Sequence, residues 1–281
     1  TVYRDEQSGE IGGLTRVRSI TQDDGHAFIR EDQIKKEFEL NLKIQDKLAK
    51  TIKFKDYWVQ LSLRDENNKK AYLGDDKTWE TAQKKMEEIL KEDGVKYVKK
   101  YGEAAFYGPK MDFMAKDNIG REWQFSTIQL DLNLPGRFGI EYIDKDGVGK
   151  TPIMIHRAFM GSVERFIGVL IEQYAGEFPL WLAPTQVKIL PISEKFNAYA
   201  QEVADELRLQ EIRAEIDLAN DTLGKKIRNT EHEKIPYMLI LGDKEQSAKK
   251  VAVRKRKEGD LGQMDLKSLV ERLKKEIVDK K

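Results

Sequence analysis

The stretch GGLTRVRSITQDDGHAF, residues 12–28, decides the first half of the fold. From Arg16 onward, most of the side chains at every second position are polar, and two residues is the repeat of a β-strand. The residues at these positions are Arg16, Arg18, Ile20, Gln22, Asp24 and His26. Provided that no bulge intervenes, these side chains all lie on one face of a strand. A face this rich in polar groups is expected to be open to a ligand, because burying polar groups without partners is costly.

The residues before this stretch predict its partner strand. Val2, Arg4 and Glu6 also alternate, and the glycines at positions 9, 12 and 13 permit a turn between the two segments. Residues 1–30 are therefore expected to form an antiparallel hairpin.

Composition limits the classes of protein to which the chain can belong. Its 281 residues are enough for one large domain or two ordinary ones, and 50 basic against 49 acidic residues give a net charge of +1. This balance argues against a histone-like polyanion binder and restricts any nucleic-acid contact to a local patch. The absence of cysteine excludes a disulfide framework and thiolate metal sites, and it favours a cytoplasmic location.

The sequence indicates neither a membrane span nor an export signal. No window has about 18 consecutive apolar residues, so no membrane contact is expected. The N-terminus has no apolar signal core and no initiator Met, so the chain is expected to begin inside a longer gene product.

Hydrophobic periodicity predicts the other elements of the first half. The predicted elements are a helix from residue 31 to about 48, a strand at 57–63, a helix at 77–92, a hairpin of 104–117 with 121–134, and a helix at 157–176 ending at Gly176. In the helix at 77–92, one apolar stripe is formed by Trp79, Ala82, Met86 and Ile89.

Arg165 lies in the last of these predicted helices, next to residues without bulk. Gly161 and Ser162 precede it by one turn, and Gly168 follows it by three residues. Two interpretations remain open: the helix packs closely on a sheet, or the arginine is presented to a ligand that lies along the helix.

A domain boundary is expected at 176–186, which carries two prolines and has no period. Beyond it, strands alternate with helices, as in a small α/β domain with a mixed sheet. The predicted strands are 187–192, 214–218, 236–245 and 251–257, and the predicted helices are 194–210, 222–232 and 265–281.

Several motifs together resemble one family. YRDEQSG and GGLTRVRSITQDDGHAF are similar to motif 2 of the class II aminoacyl-tRNA synthetases, and GSVERFIGVLIE, 161–172, is similar to their motif 3. The runs QDDGH, AFYGPKMDF, WQFSTIQLDL and PIMIHRAFMGSVERF, in this order, resemble the threonyl-tRNA synthetases above other members. The likeness extends almost over the full length.

This resemblance implies an α+β fold, with part of a class II antiparallel sheet flanked by helices in residues 1–180 and an anticodon-binding domain with a mixed sheet in 185–281. It also implies ATP-dependent activation of threonine to threonyl-adenylate, transfer to tRNA(Thr), and the cofactors ATP, Mg²⁺ and Zn²⁺.

The resemblance also implies roles at the nucleotide. Arg4 holds the α-phosphate and the carboxylate, Glu6 accepts from the adenine amino group, and Arg16 reaches the γ-phosphate. Fixed arginines suit this chemistry because two anions must be held close together while charge shifts toward pyrophosphate.

Three further residues match the family's nucleotide site. Arg165 covers the nucleotide from motif 3, Gln124 is similar to the ribose-side residue, and Lys110 to a lysine near the carboxylate and α-phosphate. Arg4, Arg165 and Lys110 are the expected catalytic residues.

The same resemblance implies that the QDDGH run recognises threonine. His26 and His156 match two zinc-binding histidines, although a lone histidine beside an apolar strand is usually a structural group. Asp24 would accept from the threonine hydroxyl, and Gln22 and Tyr107 would frame the substrate. A site built around a hydroxyl can reject valine.

The chain departs from the family pattern in three respects. The family's third zinc ligand is an upstream cysteine, and catalytic zinc normally takes three protein ligands, so the expected zinc site is incomplete. Motif 1, which forms the family's dimer interface, is missing, so a partial sequence of low activity is expected, with homodimerisation in the full-length parent. Ile20 replaces a phenylalanine that stacks on adenine, at a cost of about 1 kcal/mol.

In the second half, Asn220, Glu245 and Arg254 match residues that touch anticodon bases in the family. A basic strip without acids is expected to bind phosphates or to form a solvated strand edge, and it consists of Lys249, Lys250, Lys255, Arg256 and Lys257.

Two rivals to this interpretation remain. One is another synthetase with this C-terminal domain, such as the prolyl enzyme, which the QDDGH run with His156 disfavours. The other is a non-catalytic tRNA- or RNA-binding paralogue, or an inactive fragment, which the absent cysteine and Ile20 favour. Retention of Arg4, Glu6, Arg16 and Arg165 argues against loss of the chemistry.

Overall fold

A computed structural model describes residues 1–54, 57–117 and 119–280 of the chain. The chain divides into two units, Thr1–Glu172 and Gln173–Lys281. Among the described residues, no helix combines the length and the apolar character that a membrane span requires.

The elements of the first unit interleave strands and helices. The strands are β1 (Val2–Tyr3), β2 (Ser19–Ile20), β3 (Gly25–Ile29), β4 (Tyr57–Leu63), β5 (Tyr97–Tyr101), β6 (Lys110–Lys116), β7 (Glu122–Asp131), β8 (Tyr142–Ile143), β9 (Gly149–Lys150) and β10 (Ile153–Ala158). The helices are α1 (Ile34–Thr51), α2 (Asp76–Glu92), α3 (Leu134–Arg137) and α4 (Val163–Tyr174).

A six-stranded sheet organises this unit, in the order β3-β10-β7-β6-β4-β5. All neighbouring strands are antiparallel except β4 and β5, which are parallel. The fold class expected from the sequence, α+β with a largely antiparallel sheet, is therefore confirmed.

Strand register puts polar residues in one row across the sheet. His26 lies opposite His156, His156 opposite Gln129, Gln129 opposite Lys110, and Lys110 opposite Ser62. Directly opposite residues of antiparallel strands point to the same face. Five strands thus contribute to one polar face.

The residues that alternate with this row form the core. Leu61, Met111, Ile128 and Ile155 are fully buried. The stripe predicted on α2 is confirmed, because all four of its residues are buried. Burial of each such side chain favours folding by about 1.5–3 kcal/mol, so this face fixes the sheet.

The predicted N-terminal hairpin is confirmed, but its continuous strand face is not. β1 pairs with β2 in antiparallel fashion, and the turn closes where Gly12 pairs with Arg16, with Gly13 at φ +49°. After Ile20 the chain leaves the ribbon, and β3 begins only at Gly25. Of the even-numbered residues from 16 to 26, only Ile20 in β2 and His26 in β3 therefore lie in strands, and these two strands are separate.

Contacts with the loop between β10 and α4, and with the first turn of α4, explain this break. The Asp23 carboxylate accepts from the backbone N–H groups of Phe159 (2.8 Å) and Met160 (3.1 Å). In return, the Glu164 carboxylate accepts from the backbone N–H of Thr21 at 3.0 Å. These reciprocal bonds hold the QDD segment against the N-terminus of α4.

The helix predicted at 157–176 starts later than expected. β10 continues through Ala158, and α4 begins at Val163. Between them Gly161 has φ +57°, and a Cβ at this position would lie 3.0 Å from the Phe125 carbonyl oxygen. Only glycine fits there without strain, so the chain turns before it can form the helix.

The second unit is a mixed sheet with helices. Its strands are β11 (Val187–Pro191), β12 (Ala214–Ile216), β13 (Tyr237–Leu241), β14 (Lys250–Lys255) and β15 (Gly259–Asp265), and its helices are α5 (Asn197–Leu209), α6 (Leu223–His232), α7 (Asp243–Ala248) and α8 (Leu266–Val278). The strand order is β12-β11-β13-β14-β15, with β12, β11 and β13 parallel and the last two antiparallel.

The expected mixed sheet is thus confirmed, with corrections to its elements. Residues 243–245, predicted as strand, lie in α7, and residues 259–265, for which no strand was predicted, form β15. In the first unit, β5 was also missed.

Gly108 gives a test of how closely the segment before β6 packs on β7. A Cβ at Gly108 would lie 1.8 Å from the Leu130 carbonyl oxygen, whereas one at Gly9 would have no neighbour within 4 Å. We expect Gly108→Ala to lower the free energy of unfolding by about 1–3 kcal/mol or more, because backbone must move. Gly9→Ala should change it by less than about 0.5 kcal/mol. Equal effects in urea titrations would contradict the packing described.

The bonds of Asp23 give a second test. We expect Asp23→Ala to lower the free energy of unfolding by about 1–3 kcal/mol, because two backbone N–H groups lose a charged acceptor. Asp24→Ala removes a neighbouring carboxylate that is 45% exposed and is the matched control, with an expected change below about 0.5 kcal/mol. A larger loss for Asp24→Ala in thermal and urea unfolding would refute the role of Asp23.

Candidate active site

Cationic side chains converge on one cavity of the first unit. Arg4, Arg16, Lys110 and Arg165 line it, and Glu6 is the one carboxylate among the described residues of its wall. Four cationic side chains around one carboxylate favour an anionic ligand. The structure thus brings together five residues that the sequence predicted for an ATP site.

Glu6 and Arg16 contact each other in this cavity. Arg16 Nε donates to Glu6 Oε2 at 3.0 Å, and the Arg16 guanidinium also pairs with Glu10 at 3.1 Å. The hydrogen bond from Arg16 lowers the pKa of the Glu6 carboxyl, so Glu6 is ionised at neutral pH. The Arg16 side chain is 44% exposed, and ion pairs this exposed are weak. A more highly charged anion can therefore replace Glu6 and Glu10 as its partner.

Arg165 is held by backbone oxygens and an aromatic ring. Its Nε donates to the Thr15 carbonyl at 2.8 Å, and its guanidinium lies 5.2 Å from the Trp123 ring centroid. Burial lowers the pKa of Arg165, and the like charges of Arg4 and Arg16 lower it further. An anion between these arginines would relieve their repulsion.

Gly168, three residues after Arg165 on α4, has a packing role. A Cβ at Gly168 would lie 3.3 Å from Leu14 Cβ and 3.6 Å from Thr15 Cγ2. The hairpin loop therefore packs on α4 at Gly168, and it leaves the guanidinium of Arg165 at the cavity.

Gln22, Gln124 and Ile20 complete the predicted part of the wall. Gln22 pairs with Ser162 in an isolated bridge, which sets its position beside α4. Gln124 Nε2 donates to Asp112 Oδ1 at 2.8 Å. Ile20 is 5% exposed, so an aliphatic surface stands where the resemblance expects an aromatic ring.

The residues expected to recognise threonine form an adjacent cluster. The rings of His26 and His156 lie 4.7 Å apart, and Tyr107 stacks on His156 at 4.5 Å. Burial raises the pKa of Tyr107 to about 12, and the charges of Asp131 and Asp24 act in the same direction. The Tyr107 phenol is therefore protonated at neutral pH and can donate a hydrogen bond.

The residues present supply part of a zinc site. His156 Nε2 lies 2.9 Å from the fully buried carboxylate of Asp131, the arrangement that orients a metal-binding histidine. Among the described residues, however, no group of three His, Asp or Glu side chains could hold a metal ion, and the chain has no cysteine. Two imidazoles fall short of the usual three protein ligands, so the described residues do not form a complete zinc site.

Four residues that connect the site were missed by sequence reasoning. They are Asp112, Thr127, Gln129 and Asp131. Gln129 and Thr127 line the cavity, and Asp112 and Asp131 are buried carboxylates behind it. The available signal was an acid at the second position after Lys110 in an apolar strand, since a buried acid needs partners.

Two of the three predicted anticodon residues share an edge of the second unit. Asn220 follows β12 and Glu245 lies just after β13, and both strands run parallel to β11. Arg254 lies on β14 opposite Met238, three residues before β13 ends at Leu241, or about 10 Å back along the sheet. It faces away from the buried Val253 beside it.

The predicted basic strip is wrong as a continuous surface. Lys255 pairs with Glu258 and Glu276, and Lys257 pairs with Glu177. Arg256 is likewise engaged, since it donates to backbone carbonyls. Among the described residues of the strip, Lys249 and Lys250 have neither a carboxylate within 4.0 Å nor, as Arg256 has, a set of backbone carbonyls around the charged group.

Comparison with known proteins matches both units. Residues 1–174 match the family model for the tRNA synthetase class II core domain (G, H, P, S and T), and residues 186–276 match that for the anticodon binding domain.

Several curated bacterial relatives are named threonine–tRNA ligase. The threonine–tRNA ligase of Porphyromonas gingivalis is 52% identical over 99% of this chain, and that of Parabacteroides distasonis is 54% identical over 99%. The chain spans 43% and 42% of these relatives, respectively, less than half of their length.

Solved structures agree in fold. The crystal structure of the RNA binding domain of threonyl-tRNA synthetase from Cryptosporidium parvum has a TM-score of 0.89 and 36% identity, covering 97% of this chain and 68% of that one. The structure of a putative threonyl-tRNA synthetase from Aeropyrum pernix has a TM-score of 0.76 and 28% identity, covering 99% and 68%. The motifs, the cavity and these matches together establish that the chain belongs to the threonyl-tRNA synthetase family of class II aminoacyl-tRNA synthetases.

Proposed function

We propose that this chain is part of an enzyme that activates threonine with ATP as threonyl-adenylate and then transfers threonine to tRNA(Thr). The observation that carries the proposal is the convergence of four cations on one cavity, directly beside a cluster of Tyr107 and two histidines. The relatives named threonine–tRNA ligase support it.

The cavity suits the nucleotide part of this reaction. Arg4 and Arg165 would hold the α-phosphate while the threonine carboxylate attacks it, with Lys110 near both anions. Such preorganised cations stabilise the charge that develops toward pyrophosphate. ATP would enter with Mg²⁺, as ATP usually does.

Binding of ATP would rearrange the Glu6–Arg16 pair. The γ-phosphate would attract Arg16 away from Glu6 and Glu10, since exposed ion pairs contribute only about 0–1 kcal/mol. Glu6 would then be available to accept from the adenine amino group, and Gln124 would lie toward the ribose. One arginine thus couples two parts of nucleotide recognition.

The neighbouring cluster suits the amino acid. Asp24 would accept from the threonine hydroxyl, and Gln22 and Tyr107 would frame the side chain. His26 and His156 would be two zinc ligands, and the family's third ligand, a cysteine, is absent from this chain. Valine lacks the hydroxyl and would leave Asp24 without this hydrogen-bond partner.

For the whole enzyme we propose two domains, with catalysis in residues 1–180 and anticodon binding in 185–281. Asn220, Glu245 and Arg254 would contact anticodon bases. The full-length parent would be a cytoplasmic homodimer.

A non-reactive adenylate analogue tests the proposed activity without requiring catalysis by this chain. We expect the threonyl-sulfamoyl adenosine to bind at least roughly 100-fold more tightly than the valyl compound, because a site built for a hydroxyl rejects the analogue that lacks it. Calorimetry measures both dissociation constants, and threonine-dependent pyrophosphate exchange on the same sample reports any residual activity.

Variants of the cavity sharpen this test. Arg165→Ala should weaken binding of the threonyl compound by about 10-fold or more, because a charge-assisted bond is lost. Arg30→Ala is the control, since Arg30 pairs with Asp32 outside the cavity. Equal affinity for both analogues, or equal loss in both variants, would contradict threonine activation and favour a binding-only paralogue.

Anticodon recognition is tested separately with a tRNA(Thr) anticodon stem-loop. We expect Arg254→Ala to weaken binding by roughly 5–150-fold and to reduce discrimination against an altered anticodon, because a base contact is lost. Arg272→Ala, on α8 at the other face of the sheet, is the matched control with little expected effect. If both variants lost the same affinity for every anticodon, base recognition by Arg254 would be wrong.

A further inference from the structure

A buried carboxylate lies at the centre of the polar face. Asp112 is 2% exposed, and its two oxygens accept four hydrogen bonds. Ser62 Oγ (2.7 Å) and Lys110 Nζ (3.1 Å) contact Oδ2, while Gln124 Nε2 (2.8 Å) and Thr127 Oγ1 (2.9 Å) contact Oδ1. Both oxygens are therefore fully used, since a carboxylate has about four lone-pair sites.

One of these donors continues the network toward the histidines. Thr127 has given its only hydroxyl hydrogen to Asp112, so it accepts from Gln129 Nε2 at 3.2 Å. Gln129 Oε1 in turn accepts from the hydroxyl of Tyr107, whose ring stacks on His156. The order of donors and acceptors fixes the amide orientation of Gln129 and the direction of the Tyr107 hydroxyl.

The network thus has two branches with one origin. Lys110 and Gln124 form the branch that ends at the cationic cavity. Thr127 and Gln129 also line that cavity, but their branch continues to Tyr107 at the histidine cluster. Asp112 is behind the wall and is not among the residues that line the cavity. It can act on a ligand only through the side chains that it holds.

We propose that Asp112 is a positioning residue that holds the nucleotide side and the amino-acid side of the site in one arrangement. The assignment of one side to the nucleotide and of the other to the amino acid rests on the proposed function. Because Asp112 fixes Lys110 and Gln124 directly and Tyr107 through Thr127 and Gln129, it sets the distance between the ATP phosphates and the threonine hydroxyl.

A purely structural role for Asp112 makes different predictions. If the carboxylate only compensated the Lys110 charge inside the sheet, its loss would lower stability and leave the ordering of Gln129 and Tyr107 unchanged. The two roles are therefore separated by a readout at Gln129, two residues along the network from Asp112.

Side-chain amide NMR of the ¹⁵N-glutamine-labelled chain supplies this readout. Asp112→Ala should shift the amide resonances of both Gln124 and Gln129 and speed their exchange with solvent. Thr127→Val keeps the side-chain shape but breaks only the second branch, so it should alter Gln129 and leave Gln124 as in the native chain. Ser62→Ala is the matched control, because Ser62 leads to neither branch, and it should alter neither amide.

Binding measurements on the same variants test the consequence. We expect Asp112→Ala to raise the dissociation constants of both ATP and threonine by about 10-fold or more, since charge-assisted bonds are lost. Thr127→Val should raise that of threonine about 10-fold. Ser62→Ala should change each by less than about 3-fold.

Each outcome supports or overturns the proposal. Unchanged Gln129 resonances and threonine affinity in Asp112→Ala, with reduced stability, would show a structural role only. If Asp112→Ala does not fold, Thr127→Val decides, and an unaltered Gln129 amide would overturn the proposal. A native chain that binds neither ATP nor threonine would refute the proposed function, whereas the amide pattern would still judge Asp112.

Discussion

The register between β6, β7 and β10 is the constraint on which the rest of the first unit depends. It places Lys110, Gln129 and His156 in one row and puts the fully buried Met111 and Ile128 on the other face. A slip of one residue in any pair would exchange the two faces, exposing the core and burying the charges. The hydrophobic face therefore enforces the geometry of the polar face, and selection for folding also fixes the site.

The buried carboxylates of the polar face find their hydrogen-bond donors within the first unit, and they do not pair with Arg4 or Arg165 of the cavity. Asp112 and Asp131 accept from donors of the sheet, and Asp23 accepts from the loop before α4, so these three carboxylates have their partners. Around the cavity, cations outnumber carboxylates. Arg4 and Arg165 face it, and its one carboxylate among the described residues, Glu6, is already paired with Arg16. In the described part of the chain, Arg4 and Arg165 therefore face the cavity without a carboxylate partner, and such preorganised cations favour an anion there.

Local sequence patterns predicted the elements that they determine and failed where distant residues decide. The strand at 57–63 and the stripe on α2 follow from periodicity alone, and the structure has both. The late start of α4 depends on Gly161 against the Phe125 carbonyl, which no local pattern reveals.

The candidate site shows the same division. The cavity arginines could be named from a resemblance of motifs, whereas Asp112 could not, because its partners come from three separate strands. The basic strip failed because Glu177 and Glu276, which neutralise two of its lysines, are far away in sequence. The most direct test of the central claim is a crystal structure with threonyl-sulfamoyl adenosine bound. The account predicts the sulfamoyl group between Arg4 and Arg165 and the threonine hydroxyl beside Tyr107 and Asp24; a ligand bound outside this cavity, or with its ends reversed, would contradict it.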